Sequence, residues 1–233
     1  MAKKKTDISK SDYATLKKVA VDNTFSLEEL MLVYSKESDS GSNLHRKGSQ
    51  YKGPFQFGKG SGEDAGLVGK GFDYRNDLAK SAQGYIDMIA KNRKALSHYL
   101  TKYGINDSEL LKFDKSTINY MLHQQSGRGL ASILKTIDNP ITEKMPKGSY
   151  GVQDANWGYL NPRFRMLENL TDDQKSEFKY KTKNIPEASR YFLDSVNRQL
   201  KDIQPQIKEN FDINSDAGFL FPDEGLMPSD IPV

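Results

Sequence analysis

Glu37 follows Leu30, Val33 and Tyr34, apolar positions at helical spacing, and precedes a stretch from Ser40 to Gly62 with no Asp or Glu. That stretch carries Arg46, Lys47, Lys52 and Lys59, six glycines, and the segment Gly53-Pro54-Phe55-Gln56-Phe57. One carboxyl at the end of an apolar helix, opposite a basic, turn-rich loop with aromatic side chains, suits proton donation. A carboxylic acid that donates near neutral pH must resist early ionisation, and apolar burial provides this by disfavouring the charged form. A solvated Glu at a helix end would occupy the same sequence position, so the neighbouring elements decide between the two.

Those elements are well marked. A first helix is expected over Ser11 to about Val21, with Tyr13, Leu16, Val19 and Ala20 on one face, broken by Asp22-Asn23. Ser26-Leu27-Glu28-Glu29 forms a capping box, with Phe25 placed to staple onto Leu30. The helix it starts ends at Glu37, so the register of that carboxyl is set from the cap. Residues 40–62 lack helical periodicity and read as loops with a short β-hairpin around Tyr51 to Phe57. The longest helix is expected from Asp73 to about Tyr103, with Leu78, Ala82, Tyr85, Ile86, Ile89 and Leu96 facing a core and Gly104 closing it.

Asp107 or Ser108 caps a short helix through Lys112. Another runs from Ser116 to Gln125 and halts at Ser126-Gly127-Arg128-Gly129. The Pro- and Gly-rich stretch from Asp138 to Pro162 is a long loop holding the single Trp157, suited to a core edge or to a sugar face. Helices follow at roughly 162–169, 171–181 and 186–209, the last with Tyr191, Phe192, Val196 and Leu200 at helical spacing. Beyond Phe211 the chain reads as an extended tail.

Glu37-Ser38, followed sixteen residues later by Gly-Pro-Phe-Gln-Phe, resembles the Glu-Ser…Gly-Leu-Met-Gln signature of soluble lytic transglycosylases and goose-type lysozymes. It is more similar still to the phage version, in which a Ser-Ala-Thr-Gly-Pro-Phe-Gln-Phe run follows the catalytic Glu. Phe72-Asp73-Tyr74-Arg75-Asn76 resembles the Phe-Asp-Pro-Arg-x-Asn entry to the corresponding long helix. Tyr120 to Gln125 and the glycine turn behind it resemble the Ala-Tyr-Asn-Ala-Gly-x-Gly segment. Gln124 and Gln125 stand where the family has Tyr and Asn, similar to a His-Gln-Gln-Gly variant in phage relatives.

The resemblance implies a mainly α, lysozyme-like fold: an α+β domain with a small β-hairpin wall beside the active-site cleft. The domain would span 25–210, after a basic segment and first helix at 1–24 and before an acidic extended tail at 211–233. It implies a catalytic Glu37, with substrate contacts from Ser38, Ser49, Tyr51, Phe55, Gln56, Tyr85, His123, Gln124 and Gln125. Among the aromatics of the hairpin, Tyr51 is expected at the cleft and Phe57 in the core. Arg128 suits an anionic peptide stem or solvent.

The implied reaction is cleavage of the β-1,4 bond between N-acetylmuramic acid and N-acetylglucosamine in peptidoglycan glycan strands, without a cofactor. After Glu37 protonates the leaving oxygen, a second carboxylate could activate water, giving a lysozyme-type hydrolase. Alternatively the muramic 6-hydroxyl attacks, leaving a 1,6-anhydro sugar. The carboxylate-free run from 40 to 62 favours this lytic transglycosylase chemistry, with Asp39, Glu63, Asp64 and Asp73 left as candidate second acids. From another class, the Gln124-Gln125 departure fits an inactive lysozyme-like structural or assembly protein of a virion.

The 233 residues, 36% hydrophobic and 28% charged, describe a soluble globular protein. No apolar run is long enough to span a membrane. MAKKKTDISK is basic without an apolar core behind it, so no signal peptide is expected. A wall-cutting enzyme without its own export signal fits a bacteriophage protein, carried in the virion or released through a membrane lesion, and acting in the host periplasm and cell wall. The absence of cysteine excludes thiol catalysis, disulfides and Cys-bound metals, and the spacing of His45, His98 and His123 matches no zinc motif, so no metal is expected.

The net charge of +3 is unevenly spread. Lys3, Lys4, Lys5, Lys10, Lys17 and Lys18 load the start, while six acids and no Lys or Arg lie from Glu209 onward. These are two solvated ends, or the tail docks on a basic tail or internal-core protein of the virion. The N-terminal lysines carry no interleaved aromatic pattern, and no nucleic-acid partner is expected.

Overall fold

Serine caps start the first two helices. In the computed structural model, which describes residues 7–45, 49–138 and 186–211, α1 spans Lys10–Asp22 and the Ser9 hydroxyl accepts from the amide of Asp12 at 3.0 Å. Helix α2 spans Leu27–Ser38, and Ser26 accepts from the amide of Glu29 at 3.2 Å, as the capping box predicts. The described residues form two compact units, one of 7–88 with 199–211 and one of 89–138 with 186–198. They are mainly helical, with a single two-stranded sheet among them.

The first unit is centred on α2, of which only Leu27, Glu28 and Lys36 escape burial. A helix buried on nearly every side must be covered by several partners. On one side α1 contributes Leu16, Val19 and Ala20 to the core, and the Tyr34 hydroxyl donates to Asp12 Oδ2 at 3.0 Å. Burial and the Asp12 carboxylate push the Tyr34 phenol well above its ordinary pKa. The first helix is therefore part of this unit rather than a separate segment ending at residue 24. On another side, the Tyr85 hydroxyl donates to the buried Glu29 at 3.0 Å, and Phe25 meets the Tyr85 ring edge-on at 6.2 Å.

Residues 199–211 complete this unit. Helix α6 spans Pro186–Lys201 and α7 spans Gln204–Phe211. In place of the one continuous helix expected over 186–209, Pro205 sets a break, since its ring would clash with the carbonyl of Lys201 in an unbroken helix and it has no amide hydrogen to donate. Helix α7 then bonds to the start of α2, with Gln204 Nε2 2.6 Å and Lys208 Nζ 3.3 Å from Glu28 Oε1. Phe211 stacks on Tyr13 of α1 at 5.1 Å.

Between α2 and the long helix the layout departs from expectation. The 51–57 segment is a tight turn flanked by the single bridges His45–Lys52 and Lys52–Phe57. The two-stranded antiparallel sheet comes later, with β1 at Val68–Gly69 and β2 at Phe72–Asp73, pairing Val68 with Asp73 and Gly69 with Phe72. Residues 59–62, expected as loop, belong to a short helix, α3, Lys59–Asp64. Gly62 is there for close packing: a Cβ would lie 2.9 Å from Val68 Cγ2 and 3.0 Å from Arg75 Cδ. Helix α4 spans Leu78–Tyr103, starting five residues after the expected Asp73. The reason is that Asp73 belongs to β2 and Asp77 supplies the start, its Oδ1 accepting from the amide of Lys80 at 3.0 Å.

In the second unit the remainder of α4 ends at Gly104, whose φ of +62° is the left-handed turn expected there. A 3-10 turn at Leu110–Lys112 replaces the expected short helix. Helix α5 spans Lys115–Asp138 and bends at Ser126 (φ 63°, ψ 169°) without stopping, so the expected halt at 126–129 is a kink. Gly127 sits so close to α4 that a Cβ would be 2.2 Å from the carbonyl oxygen of Asn92. Bonds from Asn92 to the Leu122 carbonyl (3.1 Å) and from Arg93 to Asn119 Oδ1 (2.9 Å) join the same two helices. Among the described residues no helix is long and apolar enough to cross a membrane. The 138–162 loop with Trp157, the helices at 162–169 and 171–181, and the acidic tail lie outside the described residues, apart from Asp138 itself.

Candidate functional site

Glu37 lies in the last turn of α2 and is 7% exposed. Just beyond it, Asp39, Ser40 and Gly41 are three consecutive left-handed residues, with φ of 49°, 54° and 80°. Each non-glycine residue in that region costs about 1 to 2 kcal/mol, so the turn must be held from outside. Ser38 does much of this. Its hydroxyl donates to the Tyr34 carbonyl at 2.9 Å and accepts from the amide of Gly41 at 3.1 Å, while its carbonyl accepts from the amide of Asn43 at 2.9 Å. Ser35 and Ser40 pair through their hydroxyls at 3.1 Å. Gly41 is required, because a Cβ would be 2.1 Å from Tyr34 Oη. The chain leaving Glu37 is thereby fixed to the last turn of its own helix.

The Gly53-Pro54-Phe55-Gln56-Phe57 turn packs on that helix. Phe55 is fully buried, with its ring 6.5 Å from Tyr34 of α2 and stacked on Tyr85 of α4 at 5.3 Å. Burying a ring of this size contributes on the order of 2 kcal/mol. Gln56, itself at φ 50°, donates from Nε2 to the carbonyls of Gly53 at 2.7 Å and Asn43 at 3.3 Å. It joins the turn to the segment that has just left Glu37. Gly53 adopts φ +82° with its amide on the Leu44 carbonyl at 2.9 Å, and a Cβ there would lie 1.7 Å from the carbonyl oxygen of Arg75.

Arg75 clamps the other side of the turn. Its Nε and Nη2 form a bidentate pair with Asp73 at 2.9 and 2.7 Å, and Nη1 donates to the carbonyls of Phe57 at 3.2 Å and Gln50 at 3.3 Å. Hydrogen bonds from Arg75 hold Asp73 well below the usual carboxylate range, and the same bonds raise Arg75. Lys52 adds a longer contact to Asp73 at 3.7 Å. Sequence reasoning misses this clamping role of the Asp73–Arg75 pair. The available signal is an acid and a base two residues apart between a hairpin and a helix start.

The expected substrate-contacting residues divide by burial. Ser38, Phe55 and Tyr85 are fully buried, so the expectation of direct sugar contact is corrected for these three, which build the scaffold around the end of α2, while Gln56 is 7% exposed, as Glu37 is. Tyr51 is 40% exposed, with its ring over Gly58, and keeps a face open to solvent; Ser49 accepts from its amide at 3.1 Å. In the second unit Gln125 is fully buried, which corrects its assignment as well, whereas His123 and Gln124 are half-buried. Gln124 Nε2 donates to the Tyr120 hydroxyl at 3.2 Å.

Among the candidate second acids, Asp73 is fully engaged by Arg75, Asp39 is the left-handed cap of α2, and Glu63 and Asp64 are exposed on α3. The first unit thus offers one buried carboxyl at the end of α2 beside a rigid turn. No family model, curated protein or solved structure matches this chain, so its chemistry is inferred from these residues and their geometry.

Proposed function

We propose that this chain is a bacteriophage lytic transglycosylase of the lysozyme-like class, carried in the virion and cutting peptidoglycan glycan strands, with Glu37 as its acid and base. The observation that carries this reading is the placement of Glu37: buried at the end of a capped helix, on which the Gly-Pro-Phe-Gln-Phe turn packs through Phe55 and Tyr34. In the reaction, the Glu37 carboxyl gives its proton to the glycosidic oxygen as the bond to C1 of N-acetylmuramic acid breaks. The 6-hydroxyl of the same sugar attacks C1, and the Glu37 carboxylate takes the hydroxyl proton. A 1,6-anhydro end forms, no water is consumed, and Glu37 is returned protonated.

This route needs a single carboxyl, whereas an inverting hydrolase needs a second as base. Asp73 is poorly suited to that task, because a carboxylate held ionised by two hydrogen bonds from Arg75 is a weak proton acceptor. The test is digestion of purified sacculi followed by mass spectrometry. Anhydromuropeptides are expected from the wild-type protein, and their loss with Glu37→Gln at an unchanged melting temperature. Reducing-end muropeptides would make the protein a hydrolase, and full lysis by the variant would remove Glu37 from the chemistry. No lysis by folded wild-type protein would leave a non-catalytic virion module.

A further inference from the structure

We infer that Lys91, Lys94, His98 and Lys102 of α4, with Arg128 of α5, form a basic track on the second unit that binds the phosphate backbone of duplex nucleic acid without reading its sequence. None of these residues takes part in the proposed chemistry of Glu37. The four α4 residues follow one another at steps of three, four and four, so they lie on one face of the helix, and all are exposed. At about 1.5 Å per residue the row is about 16 Å long, with a side chain at each turn. The exposed residues flanking it are Ala90 and Thr101, so the face offers no large apolar anchor.

Charge of a single sign sets this face apart. From Met88 to Asn106 the chain has no Asp or Glu, and α5 has none before Asp138, while α4 carries Lys91, Arg93, Lys94 and Lys102 over that stretch and α5 adds Arg128. A solvated helix face ordinarily mixes signs, because opposite charges at i, i+4 stabilise a helix and like charges destabilise it. Among the described residues, none of Lys91, Lys94, Lys102 and Arg128 has a carboxylate at ion-pairing distance. Packing brings Arg128 to the row. Gly127 lets the α5 backbone close on Asn92 and Leu96, and the next residue, Arg128, reaches the Tyr99 ring at 5.8 Å. Lys102 Nζ lies 5.7 Å from the same ring, and the His98 ring meets it at 78° with centroids 5.1 Å apart. Attraction to one electron-rich ring offsets part of the repulsion between the two cations and holds both at the surface.

The spacing of the row selects its ligand. Cations separated by single helical turns match negative charges that recur closely and evenly, as along a nucleic-acid backbone. The carboxylates of peptidoglycan stems come once per disaccharide and are too sparse for such a row. A lipid surface would call for apolar side chains beside the cations, which Ala90 and Thr101 do not supply. Tyr99 is engaged by His98, Lys102 and Arg128 and presents no free ring to a base, so a duplex suits the track better than a single strand. The N-terminal lysines give no reason to expect such a partner and are no part of this track. Its residues become neighbours through the coil of α4 and the Gly127 contact.

The test is fluorescence anisotropy of labelled DNA duplexes of two unrelated sequences with the full-length protein. Both should bind alike, and with about four cations on phosphates the affinity should fall about a hundredfold between about 50 and 200 mM salt. Lys94→Gln combined with Lys102→Gln should weaken binding at low salt by about tenfold and lower the salt slope by about two, whereas Lys94→Arg with Lys102→Arg should keep both. Lys3→Ala, Lys4→Ala and Lys5→Ala together remove the other basic segment and should leave binding in place. Melting temperatures of the variants show that each is folded. The track is ruled out if the duplexes do not bind, if the glutamine variant binds like its parent, if the arginine variant loses binding as the glutamine variant does, or if binding is lost with Lys3, Lys4 and Lys5 instead. Displacement of the duplex by poly(glycerol phosphate) at equal phosphate concentration would also overturn it, making the partner a wall polymer.

Discussion

Two helices carry the residues singled out for chemistry, and both are interrupted by left-handed backbone just after them, yet the outcomes differ. After Glu37-Ser38 the chain leaves α2 for good, through three consecutive left-handed residues. After Gln124-Gln125 it bends at Ser126 and continues as helix to Asp138. The difference lies in what receives the next residues. Beyond α2, Ser38 and Gln56 capture the departing backbone by hydrogen bonds. Beyond Ser126, Gly127 seats directly against the backbone of Asn92 and Leu96, and that contact keeps the following turn helical. A serine–glycine pair thus marks a break in the helix without specifying whether the helix ends there.

The comparison can be broken most forcefully at the two glycines. In an ordinary helix Gly→Ala gains about 1 kcal/mol, but at 127 the new Cβ meets backbone at 2.2 and 2.5 Å, which only a shift of α5 relieves. Gly127→Ala is therefore expected to cost about 3 kcal/mol. Gly41→Ala should cost nearer 2 kcal/mol, since its φ of +80° is strained for alanine and its obstacle is the end of the Tyr34 side chain. Chemical denaturation measures both, and equal costs would mean the two breaks are held in the same way.

A smaller effect of opposite sign is expected at the kink itself. Ser126 holds φ 63° and ψ 169°, a region that suits glycine, so Ser126→Gly should stabilise by about 1 kcal/mol in denaturant titrations. Destabilisation would show that the weak contact of its hydroxyl with the amide of Gly129, at 3.4 Å, outweighs the backbone strain.

The smallest effect concerns the clamp beside α2. Asp73 has a depressed pKa when folded, so its contribution is present above the unfolded value near 3.9 and is lost as pH falls from there toward the folded value. Melting temperature should therefore decline on acidification below about pH 4, and Asp73→Asn should flatten that part of the profile. An unchanged acid limb in the variant would mean the pair with Arg75 adds nothing to stability.

Much of this architecture is legible from local chemistry. The capping box at Ser26, the end of α2 beside Glu37, the core face of α4 and the glycine closing it all follow from hydrogen bonds or periodicity within a few residues. The parts that escape such reading depend on distant partners. Phe55 and Tyr85 could have stacked on a sugar, and only their mutual packing with Tyr34 makes them core. Gly62 has the sequence surroundings of a loop and is instead helix, its missing side chain serving Val68 and Arg75. The aromatic positions 72 and 74 alternate around an acid, a strand signature too short to register beside the stronger helical pattern of α4.

One consequence concerns biosynthesis. The Gln204 amide that bonds Glu28 comes from a residue 176 positions further along the chain, and Phe211 stacks on Tyr13. The helix bearing Glu37 thus leaves the ribosome well before residues 204–211 and keeps its flank open until they have been translated. The second unit lies in sequence between these two halves, and loop closure of that span delays their meeting. A product terminated before residue 204 would leave the Glu28 end of α2 uncovered, so completion of the carboxyl-bearing core waits on residues 204–211.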